Sequence, residues 1–148
     1  LRAWVSTPPS VALVVAAVYF EWTLCRAIVG LSQRPNVEVR RDLEKTYGLE
    51  TYKGMWRREM SHWPNARTLP QVVKDWHGVT EAFKNRNKLV HGRDRYTQNM
   101  VRPGIDAILA GVKDLCSYSV SCGVDINQRL PQRRRKGSLE ETSLEVRQ

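Results

Sequence analysis

Every position from Val11 to Phe20 is apolar, and beyond Glu21 the apolar positions continue at Trp22, Leu24, Ala27, Ile28, Val29 and Leu31. This pattern predicts one long helix, entered through Pro8-Pro9-Ser10 with Ser10 as its N-cap and broken at Gln33-Arg34-Pro35-Asn36. A helix apolar all round over its first half has to be covered all round, and in so short a chain a second subunit is the expected cover. The uninterrupted run is too short for a bilayer span, so no membrane association is expected. With Arg2 in front, the run has the outline of a signal peptide, but the helical pattern carries on through Glu21 and Arg26 without a small-residue cleavage site.

The remaining elements follow from the same reading. Val39, Leu43 and Tyr47 make a narrow stripe on a polar helix over about 37–47, whose arginines and glutamates form a solvated face and which stops at Gly48. Tyr52, Met55, Trp56 and Met60 share one side of a helix over 51–62, ended by Trp63-Pro64-Asn65. Leu69-Pro70 opens a long helix carrying Val72, Val73, Trp76, Val79, Ala82, Phe83, Leu89 and Val90, with Gly78 marking a close contact or a bend. The last helix, over 99–122, is interrupted near its start by Pro103-Gly104, buries Ile105, Ile108, Leu109, Val112, Leu115 and Cys116, and ends at Gly123. No strand pattern of useful length is present. The expected fold is all-α, an up-and-down helical bundle of about four to five helices over residues 1–127. Residues 128–148 read as a charged, disordered tail. It holds the basic run from Arg133 to Lys136, which would serve as an arm for RNA or an acidic partner, and a capping-box spacing at Ser138-Leu139-Glu140-Glu141.

Composition narrows the class. A chain of 148 residues holds a single domain, and its formal charge of +9 favours a polyanionic or acidic partner without separating the two. Three cysteines with no close pair argue against a disulfide framework and for a reducing, cytoplasmic setting. Cys116, Cys122, His62 and His77 lack the spacing of a zinc site, so no metal is expected.

The stretch Arg86-Asn87-Lys88-Leu89-Val90-His91-Gly92 carries the chemistry. Asn87 and His91 are one helical turn apart, whereas Arg86 and His91 lie about 140° apart around an ideal helix and meet only if it ends near His91. Gly92 supplies that end, since glycine takes the left-handed cap conformation without side-chain strain. A histidine titrating near neutrality moves a proton and a guanidinium grips a phosphate through two parallel hydrogen bonds, a combination suited to attack of an RNA 2′-hydroxyl on its own phosphate. At a helix end, both groups are expected within reach of solvent or of a dimer cleft. The plain alternative is a helix-closing histidine on a solvated basic face.

Arg86, Asn87 and His91 match the motif of the HEPN superfamily, small all-helical domains best known as metal-independent ribonucleases, and the chain resembles that family in this motif and in its helical architecture. The resemblance implies a homodimer in which motif helices of two protomers face each other, with Arg86, Asn87 and His91 catalytic and no cofactor. Lys88, Arg93, Arg95 and Tyr96 would then contact the RNA substrate, Tyr96 by stacking. A toxin or defence role, with a cognate antitoxin or inhibitor protein as a further partner, follows from the same resemblance. In toxins of this family that are silenced by nucleotide transfer, a tyrosine commonly follows the histidine after one intervening residue. Arg93 holds that place here, which puts such regulation in doubt. A catalytically inactive HEPN-like module binding RNA, a nucleotide or a protein is the second functional class.

Overall fold

The computed structural model describes residues 7–92 and 96–135, and within them the chain is all-helical. In chain order the helices are α1 (Pro9–Leu31), α2 (Asn36–Leu43), α3 (Leu49–Met60), α4 (Leu69–Val72), α5 (Trp76–Val90) and α6 (Gln98–Ser121). Helix α1 is the centre of the bundle. Its Leu13, Ala17, Phe20, Leu24, Ala27 and Ile28 are buried, chiefly against α6 and then α5. The Phe20 ring meets Phe83 of α5 edge-on at 5.8 Å. Helices α5 and α6 approach closely because small residues face each other: a Cβ on Gly78 would lie 2.8 Å from that of Ala107, and one on Gly104 would lie 3.0 Å from that of Ala82. Gly78 therefore marks a packing contact.

Several sequence expectations change, among them the narrow stripe of the polar helix: α2 ends at Leu43 and Tyr47 is exposed. Helix α1 begins at Pro9, flanked by Pro8 with no side-chain cap, so Ser10 lies inside the first turn; proline's fixed φ and missing N–H suit that position. The helix expected from Leu69 up to His91 is two helices. Val73 is extended (φ −85°, ψ 102°), and Asp75 starts α5 afresh by accepting the Gly78 N–H at 2.9 Å. An aspartate that can bond the backbone two or three residues on favours such a cap over a helix interior. Helix α6, in contrast, runs unbroken through Pro103, only slightly inside its start, where one lost hydrogen bond is tolerated. Leu109, expected in the buried stripe, is exposed.

The largest change is at the C-terminus. The packed body does not end at residue 127: Ile126 and Leu130 are buried, and Arg26 of α1 donates from Nε to Ile126 O and from Nη2 to Gln128 O, both at 2.7 Å. Asn36 bonds the segment on both sides, donating from Nδ2 to Pro131 O at 2.8 Å and accepting the Arg133 N–H at 3.0 Å. The Arg133 guanidinium then donates to the carbonyls of Val29, Gly30 and Arg34 at and just beyond the end of α1. A charge-run reading treats these arginines alike. It misses that a fork of five donors finds ready acceptors at the negative end of a helix. Residues 136–148, with Lys136 and the capping-box spacing, lie outside the described residues.

A buried carboxylate ties the turn between α1 and α2 to α3. Glu59, whose side chain is 2% exposed, accepts from Ser32 Oγ at 2.6 Å, Arg34 Nη1 at 2.7 Å and Arg58 Nε at 3.1 Å. Burial works to raise this carboxyl, but the hydrogen bonds from Ser32 and Arg34 outweigh it and hold Glu59 below the usual glutamate range. Its contribution to stability is therefore present above that range and is lost as pH falls through the depressed value.

One face of α1 stays uncovered. Val11, Val15, Val18 and Trp22, spaced by four, three and four residues, are exposed. At 23 residues α1 is also long and apolar enough to cross a membrane, against the expectation from its first ten positions. Half of its most apolar stretch is nonetheless buried against the other helices.

Replacing Arg133 with alanine is expected to cost about 1.5–3 kcal/mol, the range for hydrogen bonds to a charged group. Arg134→Ala, at an exposed neighbour, should stay within about 0.5 kcal/mol. Urea denaturation of the two variants beside the parent measures the contrast, and equal stabilities would show that Arg133 does not anchor the segment.

Candidate functional site

The end of α5 is set locally. His91 is the C-cap (φ −88°, ψ 9°), its N–H bonded to Asn87 O at 3.2 Å, and Gly92 follows at φ +65° with its N–H on Leu89 O at 3.0 Å. Only a residue without a Cβ takes that left-handed turn freely, so the helix stops where the sequence placed its end.

Arg86 points back toward α1. Its Nη1 donates to Asn87 Oδ1 at 3.0 Å, its Nη2 to Glu21 Oε2 at 3.3 Å, and its guanidinium carbon lies 5.6 Å from the centre of the Phe83 ring. The side chain is half-buried, because the aromatic ring and Glu21 draw it onto the body. Its Nε is buried without a hydrogen-bond partner. Native proteins rarely leave a donor in that state, so it marks a group held ready for a ligand or held at a cost. The Glu21 contact is longer than the 2.7–2.9 Å typical of charge-assisted pairs. Burial pushes the Glu21 carboxyl above its ordinary value, and the charge of Arg86 only partly opposes this. The pair is loose.

Arg86 and Asn87 open onto a cleft of about 670 Å³ whose walls include Glu21, Tyr47, Tyr52 and Phe83. His91 is exposed at the tip of α5 and does not line this cleft. Among the described residues, no hydrogen bond joins its imidazole to Arg86 or Asn87. One chain thus brings two members of the motif together and leaves the third beside them, facing outward.

The residues expected to contact RNA fare differently. Lys88 is exposed on the last turn of α5. Tyr96 is half-buried against the core and its hydroxyl donates to Asn85 Oδ1 at 3.3 Å, which withdraws part of the ring from the stacking role expected of it. Arg93 and Arg95 lie outside the described residues. Glu21 is the functional candidate that the sequence reading passed over. Its signal was present: it is the single carboxylate within an otherwise apolar stretch of α1, where an unpaired charge would be costly. Among the described residues, no three His, Cys, Asp or Glu side chains gather in the way a metal ion would require. No protein-family model, no curated protein and no solved structure matches the chain.

Proposed function

We propose that the chain is a metal-independent endoribonuclease of the HEPN type, working as a homodimer. The observation that carries this reading is the Arg86 guanidinium, braced by Asn87 and loosely by Glu21, with a buried unsatisfied Nε, next to an exposed histidine at the same helix end. In the reaction, His91 takes the proton of the RNA 2′-hydroxyl as its oxygen bonds to the adjacent phosphorus. The bond from phosphorus to the 5′-oxygen breaks, that oxygen takes a proton from water, and a 2′,3′-cyclic phosphate remains. Arg86 neutralises the charge that builds on the phosphorane, and Asn87 holds the guanidinium plane in place.

A single chain supplies half of this machinery. The exposed stripe of Val11, Val15, Val18 and Trp22 has the alternating spacing by which two helices pack side chain into groove, and it ends beside Glu21, the anchor of Arg86. A second copy covering the stripe would bring a second motif to the same region, so that Arg86 of one protomer works with the His91 of its partner. A toxin or defence role with an inhibitor protein belongs to this reading, as does a reducing, cytoplasmic setting, which the three unpaired cysteines suit.

In EDTA, the parent protein is expected to cleave RNA. His91→Ala should lose about 10²–10⁴-fold in rate with stability within about 0.5 kcal/mol, since the imidazole is exposed. Arg86→Lys should be nearly as inactive, because an ammonium lacks the planar fork. Arg86→Ala should in addition cost about 1–3 kcal/mol by leaving Glu21 without its partner. Folded variants that cleave at the parent's rate would remove the nuclease reading, and RNA binding without cleavage in the parent would put the inactive binding module in its place.

Light scattering at micromolar concentration should give the mass of a dimer, and Val18→Glu with Trp22→Glu should yield a folded monomer with its cleavage lost. A parent protein that is monomeric yet active would contradict the composite site.

A further inference from the structure

A second groove, of about 450 Å³, lies between α2 and the C-terminal segment and shares no lining residue with the cleft at Arg86. Arg40, Arg41, Arg133 and Arg134 line it, with Glu44 as its one carboxylate and Val37 as its one apolar side chain. Most of the surrounding arginines already have partners. Arg34 and Arg58 share Asp42 and Glu59, Arg135 pairs with Glu38 at 2.9 Å, and Arg133 is bonded to the carbonyls at the end of α1. Arg40, Arg41 and Arg134 are exposed, and their side chains form no ion pair or hydrogen bond among the described residues.

Their gathering is built into the fold. Arg40 and Arg41 are adjacent on α2, and Arg134 follows Arg133, whose backbone N–H and C=O are both bonded to Asn36 at the start of the same helix. The segment is thus held against α2 by a residue whose own guanidinium is used elsewhere, which leaves Arg134 facing its two counterparts. Like charges brought together without counterions repel, and an anion spanning them relieves that repulsion.

We propose that this groove binds the phosphate backbone of single-stranded RNA, as a holding surface separate from the α5 end. The inference rests on the ribonuclease reading only for the identity of the polyanion. An acidic protein is the weaker occupant, because protein partners gain most of their affinity from large apolar or aromatic anchors seated in pockets, and the groove offers one valine. Planar guanidinium forks, in contrast, match phosphate oxygens directly.

The test uses His91→Ala protein throughout, so that bound RNA stays intact, and reads the anisotropy of a fluorescent single-stranded RNA of mixed sequence over a range of salt. Arg40→Gln, Arg41→Gln and Arg134→Gln together should weaken binding by about tenfold and flatten the plot of log affinity against log salt by about 2, from three contacts at about 0.7 each. The control carries Arg57→Gln, Lys113→Gln and Arg129→Gln, which remove the same charge from exposed positions outside the groove, and should change both quantities less. Equal losses in the two triple variants, or none in the first, would overturn the inference, as would displacement of the RNA by polyglutamate at lower charge concentration. A cleavage assay on protein with His91 intact separates the two claims: a groove effect without any cleavage would support the groove and remove the ribonuclease reading.

Discussion

Helix α1 can lie at the centre of the bundle because the carbonyls of its last turn are all satisfied. Ile28 O accepts the Ser32 N–H, Val29 O and Gly30 O accept from the Arg133 guanidinium, and Leu31 O accepts from Trp63 Nε1 at 2.9 Å. A buried helix end without such partners would forfeit much of what its apolar surface contributes. The partners come from three parts of the chain: the turn after α1, the residues after α3 and the C-terminal segment. Holding one helix end therefore holds the order of the fold, with a positive charge at the negative pole of α1.

That placement reaches the candidate site through Glu21. With α1 fixed between α5 and α6, Glu21 sits against Arg86, and Phe20 from the preceding position packs on Phe83 one turn before Arg86. The guanidinium is thus positioned by the core and not by the tip of α5 alone. The proposed phosphate contact of Arg86 and the packing of the bundle share the same side chains, so substitutions there would act on both. His91 escapes this coupling: it is exposed, capped by Gly92, and bound to the body only through backbone. Such a division suits a site in which one group is held rigid and the other is completed by a second chain.

Much of the bundle was legible in the hydrophobic pattern, because Tyr52, Met55, Trp56 and Met60, or Ile108, Val112 and Leu115, bury one face at helical spacing. The end of α5 was legible too, since Gly92 is a local signal. What the pattern hid are features decided by distant partners. The break at Val73 depends on Asp75 capping Gly78 and on Asp114 of α6 accepting the Lys74 N–H at 2.9 Å. The docking of Arg133 depends on carbonyls about a hundred positions earlier, and a run of like charges gives no hint of it. Glu21 was visible as an anomaly in an apolar helix, but its partner could be named only once α1 and α5 lay side by side.

The central claim is that Arg86 of one protomer works with His91 of its partner. Co-expression of an Arg86→Lys chain and a His91→Ala chain under separate tags, followed by tandem purification, yields mixed dimers that retain one intact arginine and one intact histidine. The account predicts that these dimers recover RNA cleavage well above either variant alone. Mixed dimers as inactive as the two parent variants would contradict it.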